Sequence, residues 1–146
     1  MARIVTGELP VRFRYTPGVG ATAFFEALRD RGVLLGSRCE SCSVTYLPAR
    51  VFCERCFAEL EADTECGPAG TLESFTVAHV GIDGEPLPEP VTWATVRLDG
   101  ADTVLVHRLL DATAPDIGMR VHAVVREQRT ASIEDLEGFA RDPGER

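Results

Sequence analysis

Two cysteine pairs, Cys39-x2-Cys42 and Cys53-x2-Cys56, stand with ten residues between them, and they constrain the fold of this chain more than any other feature. A CxxC turn gathers two thiolates at one point, and two such turns facing each other build a tetrahedral cage of four sulfurs. Zn2+ suits that cage, because it has no redox chemistry and accepts four thiolates at about 2.3 Å. One structural zinc per chain is therefore the expectation. With every corner filled by protein, no position stays open for water or substrate, so the metal is expected to organise the fold rather than to react. A rubredoxin-like iron uses the same geometry, and spacing alone does not separate the two metals. Each pair lacks the glycine that usually follows such a knuckle, since Ser43 follows Cys42 and Phe57 follows Cys56. The fifth cysteine, Cys66, reads as a small buried residue. Its presence makes the count odd, which favours metal ligation over disulfides.

The rest of the sequence arranges itself around that module. Residues 1–32 read as an N-terminal extension, alternating at Arg12-Phe13-Arg14-Tyr15, followed by a short helix from about Ala21 to Arg31. Thr22 is its expected cap and Gly32 its end. Phe24, Phe25 and Leu28 give the helix an apolar side that could pack on the domain or dock another chain. Residues 33–66 hold the cysteines and little apolar periodicity, the mark of a metal-stapled ribbon with too small a core to fold unaided. Residues 67–128 are strand-like. Thr71–Val80, Val91–Leu98, Thr103–Leu109 and Met119–Arg126 are rich in β-branched and apolar residues. Gly81–Pro90, with its prolines and glycines, reads as a loop. Asp99-Gly100-Ala101-Asp102 reads as a turn. So many short strands in so few residues predict a small Greek-key barrel of the OB type. The fold class is thus mostly β with one short helix. Residues 129–146 form a polar tail expected to wrap partly around the barrel.

Charge excludes some functions. The net charge is −8, and it is concentrated in the second half. Residues 1–60 hold eight Arg against six acids, whereas residues 61–146 hold seven Arg against seventeen acids, a net of −10. A barrel so acidic repels a nucleic-acid backbone, which weighs against the nucleic-acid-binding reading that ribbons and OB folds otherwise invite. No stretch approaches the roughly 18–20 apolar residues that span a membrane. The first ten residues lack the apolar core of a secretory signal, so a cytoplasmic location is expected.

From Tyr15-Thr16-Pro17-Gly18 onward the chain resembles the DUF35 family. The likeness runs through Phe24-Phe25-Glu26-Ala27-Leu28, Gly36-Ser37-Arg38-Cys39-Glu40-Ser41-Cys42 and Tyr46-Leu47-Pro48-Ala49-Arg50. It continues in Gly70-Thr71-Leu72-Glu73-Ser74-Phe75-Thr76-Val77, Ile117-Gly118-Met119-Arg120-Val121 and Arg129-Thr130-Ala131-Ser132-Ile133-Glu134-Asp135. The order of these blocks is far more specific than the cysteines alone. The resemblance implies a helix, a rubredoxin-like zinc ribbon and an OB fold. It also implies a noncatalytic accessory or scaffold subunit in a hetero-oligomer. The implied partner is a thiolase-superfamily enzyme of the thiolase, hydroxymethylglutaryl-CoA synthase or sterol side-chain aldolase type, which handles acyl-CoA and carries the catalytic residues.

No catalyst of the chain's own stands out. His79, His107 and His122 all fall in expected strands, and no HExxH, nucleophile triad or phosphate-cradling glycine loop is present. Arg38, Arg50 and Arg55 lie in the ribbon near the aromatic residues Tyr46, Phe52 and Phe57. Guanidinium forks suit phosphate oxygens, so these six residues are a candidate contact for CoA or for the partner. An electron carrier of the rubredoxin kind is the remaining alternative.

Overall fold

Gly20, Phe24, Ala27 and Leu28 recur at the spacing of one helical face, and that face is buried. In the computed structural model, which describes residues 7, 15–110 and 113–143, they belong to helix α1, Gly18–Arg31. The helix lies so close on the ribbon that a Cβ at Gly20 would sit 2.6 Å from the Ala49 carbonyl oxygen. It ends at Gly32, whose φ of 69° lets its N–H donate back to the Leu28 carbonyl at 3.1 Å. Its start differs from expectation. Pro17, with φ already at −65°, occupies the N-cap and Thr22 falls inside the helix, capping nothing. Of the alternating segment Arg12–Tyr15, all but Tyr15 lies outside the described residues.

Phe24 and Leu28 are wholly buried in the main core, and the half-buried Phe25 packs on the same cluster. The two phenyl rings meet edge to face, 5.4 Å apart at 67°. The docking surface expected from Phe24, Phe25 and Leu28 is thus corrected: Phe24 and Leu28 lie on the helix face that the chain's own core buries.

Strands β1 (Leu34–Cys39), β2 (Val44–Tyr46) and β3 (Thr64–Cys66) form an antiparallel sheet in the order β2-β1-β3. Cys66 is buried opposite Leu34, as expected of a small apolar residue. A second sheet follows, built from β4 (Ala69–Val80), β5 (Pro86–Leu98), β6 (Leu105–Arg108), β7 (Arg120–Val125) and β8 (Leu136–Arg141). Its order is β6-β5-β4-β7-β8, with all ladders antiparallel. The two ends meet through a parallel bridge between Leu109 and Phe139, where the Leu110 N–H donates to the Phe139 carbonyl at 2.8 Å. That closure makes the five-stranded OB barrel. Its filling follows strand periodicity: Thr92, Ala94, Val96 and Leu98 of β5 point inward against Leu72, Val121, Leu136 and Phe139.

Two sequence expectations fail here. Only Gly81–Glu85 is a turn; Pro86–Pro90, expected as loop, extends β5, because an edge strand tolerates residues without an N–H. The polar tail is no mere wrapping either. Ser132 and Asp135 form a capping box on a short 3-10 turn, Ile133–Asp135, which leads directly into β8.

Ribbon and barrel are joined covalently in sequence and physically by one core. Phe24, Leu28, Leu34, Leu47 and Cys66 pack in the same cluster as the barrel residues. Reciprocal bonds reinforce the seam. The Thr45 N–H donates to Asp102 Oδ2 at 2.8 Å, and the Asp102 N–H donates to the Thr45 carbonyl at 2.9 Å. The Leu47 N–H donates to Thr103 Oγ1 at 2.8 Å, and that hydroxyl donates to the Leu47 carbonyl at 2.9 Å. Among the described residues, no helix is long and apolar enough to cross a membrane.

Candidate metal centre

Cys39 closes β1, and the turn into β2 carries Cys42; the register Cys39↔Val44 folds that turn tightly. The second knuckle closes on itself, with the Phe57 N–H donating to the Cys53 carbonyl at 3.0 Å and the Cys53 N–H to the Ala58 carbonyl at 2.9 Å. The knuckle residues Ser43 and Phe57 adopt φ of 52° and 59°, the left-handed conformation that glycine supplies without strain. The backbone shape is therefore kept although the glycines are not.

All four cysteine Sγ atoms lie within 4.8 Å of one another, and Cys39 Sγ stands 3.6 Å from Cys56 Sγ. A tetrahedron of sulfurs about 2.3 Å from a central ion has edges of about 3.8 Å, so the donor set fits one such ion. Cys39 and Cys53 are buried and Cys56 is exposed. The site is thus inserted into the ribbon from one side.

Tyr46 is the residue that sequence reasoning misplaced. Expected as an exposed contact aromatic, it is almost fully buried, and its hydroxyl lies 3.3 Å from Cys53 Sγ. The hydroxyl oxygen accepts the Glu54 N–H at 3.2 Å, and the Arg55 N–H reaches Cys53 Sγ at 3.4 Å. These contacts, Tyr46 foremost, hold the Cys53 thiol down to about 6. Cys42 is pushed up to about 12, chiefly by Cys56 beside it, and Tyr46 itself is pushed to about 12 by Cys53. Cys39 is raised too, and a cation at the centre would favour the thiolate forms of Cys39 and Cys42 beside Cys53. Alternation in β2 was the available signal: with Val44 inward, Tyr46 shares its face. Ser37 escaped notice altogether. Fully buried in β1, its hydroxyl accepts the Arg50 N–H at 2.9 Å and donates to the Arg50 carbonyl at 2.8 Å, fixing the approach to the second knuckle.

The other candidate residues do not form one face. Arg38 pairs with Glu40 at 3.2 Å, in a hollow whose lining also includes Glu59, Glu61 and Asp63. Arg50 lies over the Tyr46 ring at 5.1 Å and pairs with Glu54. With Val51 and the exposed Phe52 it borders an apolar hollow of 360 Å³ against Pro17, Val19 and Ala21. Arg55 and Phe57 are exposed on the knuckle, Phe57 at 78%. Of the histidines, His107 is held below its usual range by burial and by the neighbouring Arg108. The three sit in three different strands, β4, β6 and β7.

A ribbon carrying a four-sulfur site, sharing its core with an OB barrel, defines a zinc-ribbon/OB-fold protein. Residues 27–61 match the family model for the ChsH2 rubredoxin-like zinc ribbon domain, and residues 63–126 match the model for the ChsH2 C-terminal OB-fold domain. The chain belongs to the DUF35 family. A DUF35 domain-containing scaffold protein of Methanocaldococcus jannaschii is 28% identical over 102 residues, 68% of this chain and 72% of the relative. The solved structure of the Ltp2-ChsH2(DUF35) aldolase is similar with a TM-score of 0.64 and 28% identity, covering 88% of this chain and 98% of that one. A DUF35 protein of unknown function from Sulfolobus solfataricus shares the fold, with a TM-score of 0.62, 24% identity and 82% of each chain covered.

Proposed function

We propose that this chain is a noncatalytic accessory subunit that binds a thiolase-superfamily enzyme and supports its work on acyl-CoA. The observation that carries the reading is the likeness, over nearly the whole chain, to the ChsH2(DUF35) component of an aldolase. The scaffold relative agrees with it. The site's chemistry is consistent: Cys39, Cys42, Cys53 and Cys56 would hold one Zn2+, and four thiolates saturate a tetrahedral ion. Such an ion supplies folding free energy and no reaction. Phe52, Arg55 and Phe57, each exposed on the ribbon, are the candidates for contact with the partner. The acyl-CoA and the reacting groups belong to the partner.

Purification of the tagged chain from its native host tests this. A thiolase-superfamily chain should be recovered with it, and that chain, produced alone, should be less active or less soluble than the pair. Turnover of acyl-CoA by this chain by itself would refute the reading. Elemental analysis should give one zinc per chain and colourless protein; red protein with iron would move the site to electron transfer. Stripping the zinc with a chelator should abolish the complex, and because ribbon and barrel share a core, it should lower the melting temperature of the whole chain.

A further inference from the structure

We propose that the hairpin of β4 and β5 is an arm that the chain lays into a groove of that same partner, a groove with an apolar floor and a cationic rim. This rests on the accessory-subunit reading and names the element that does the gripping. The two strands outrun the barrel. β7 pairs with β4 only at Ala69–Thr71, and β6 pairs with β5 only at Trp93–Val96, whereas the β4–β5 ladder continues to Val80↔Pro86. Consequently no residue from Glu73 to Val91 is buried. Both faces of this segment meet solvent, yet it carries Phe75, Val77, Val80 and Ile82 among its exposed residues. A two-stranded hairpin with nothing packed on it is marginal in water. An apolar open edge also invites aggregation unless something covers it.

The edges differ in what they can accept. Pro86, Pro88 and Pro90 leave the β5 side without a regular row of donors, which blocks another strand there. The β4 side, Ser74–Val80, keeps every N–H and, among the described residues, has no neighbour beyond the contacts of Leu72 with Gly118 and Met119. It is the edge able to take an added strand.

Charge selects the occupant. Between Ser74 and Val96 the ionised residues are Asp83, Glu85 and Glu89, with no arginine or lysine to balance them. None of the three has an ion-pair partner among the described residues. An acidic, apolar arm is complementary to a groove rimmed by Arg or Lys. A second copy of this chain is a poor match, since most of its described arginines are already engaged by carboxylates, Arg29, Arg31, Arg50, Arg97 and Arg120 among them.

The test uses the full zinc-loaded chain and the purified thiolase-superfamily chain recovered with it. Two variants are compared with wild type: Val80→Asp with Ile82→Asp, and Asp83→Asn with Glu85→Gln and Glu89→Gln. All five positions are exposed, so melting temperature and zinc content should not move. The first variant should bind at least tenfold more weakly. The second should flatten the loss of affinity with added salt. Amide exchange at Ser74–Val80 should slow in the complex. Binding by both variants within twofold of wild type, with exchange unchanged, overturns the arm and leaves the accessory-subunit reading standing. No binding by wild type overturns both. Variants that instead dissociate a homodimer, without altering partner affinity, overturn the arm's assignment to the partner.

Discussion

Replacing Phe57 by glycine should stabilise the free protein while weakening its complex. Phe57 holds φ at 59° with its ring 78% exposed, so the fold gains little burial from it and bears the cost of the left-handed backbone. That cost is roughly 1–2 kcal/mol for a residue with a Cβ. Glycine removes it but gives back roughly 0.5–1 kcal/mol of chain entropy relative to alanine. The knuckle bonds made by the Phe57 and Cys53 N–H groups are backbone bonds and survive either substitution. Phe57→Gly should therefore exceed Phe57→Ala in stability by about 0.5–1 kcal/mol. At this chain length that is a rise of about 1–4 °C in melting temperature. Ser43→Gly, at φ of 52°, should move the same way and serves as the control without an aromatic ring. The assay is urea or thermal unfolding of zinc-loaded protein, paired with partner affinity. Both Phe57 variants lose the ring and should bind more weakly, whereas Ser43→Gly should bind normally. A glycine variant no more stable than the alanine variant would refute the strain argument. Undiminished affinity in both would remove Phe57 from the interface.

Tyr46→Phe removes the hydroxyl between Cys53 Sγ and the Glu54 N–H, which should cost about 1–2 kcal/mol. The thiol it holds near 6 rises, so protons displace the metal sooner, and the midpoint of acid-induced zinc release should shift to higher pH. Asp135 is buried; burial raises its pKa, but the N–H groups of Thr130, Ser132 and Ala131 outweigh that and leave it below 3.8. A depressed carboxylate contributes stability that is present above the unfolded pKa and lost as pH falls through the folded one. Asp135→Asn should accordingly be about 1–3 kcal/mol less stable at pH 7, with the difference closing below about pH 4 in denaturant titrations. Thr103→Val breaks the reciprocal bond with Leu47 across the seam and should lower stability by about 1–3 kcal/mol, read by the same titrations.

Much of this architecture was legible in the sequence because short-range chemistry dictates it. Each CxxC spacing places two sulfurs at one point by local turn geometry, and the Gly32 stop and the Asp99–Asp102 turn are local backbone preferences. What escaped detection depends on distant partners. Pro86–Pro90 carries every local signal of a loop, yet it runs extended between its two anchors on β4, Val80↔Pro86 and Ala78↔Val91. The tail conceals β8 because Gly138 and its charged neighbours dilute the alternation. Yet Gly138 is needed there, since a Cβ would come 2.5 Å from the Arg108 carbonyl oxygen of the crossing strand. Tyr46 resembles a recognition aromatic when read locally, while its place beside Cys53 is fixed by the pairing of Ser37 with Tyr46.

Phe57 and the β4–β5 arm share a physical property that ties them to one explanation. Each costs the isolated chain something: strained backbone beneath a wetted phenyl ring in one case, unburied aliphatic side chains along a hairpin with an open edge in the other. Neither cost is forced by the metal site, which glycine knuckles would serve as well, or by the barrel, whose core ends at Leu72 and Thr92. Within the ribbon and at its seam with the barrel, by contrast, hydroxyls are satisfied twice over, as the reciprocal bonds of Ser37 and Thr103 show. On the accessory-subunit reading, a partner surface that covers these two places would account for both costs. Ribbon knuckle and arm would then act together, one offering a single aromatic ring and the other an acidic strand. Combining Phe57→Ala with the arm variants tests their concert: losses in binding free energy that add would indicate two independent footholds on the partner, and a shortfall from additivity would indicate one continuous interface.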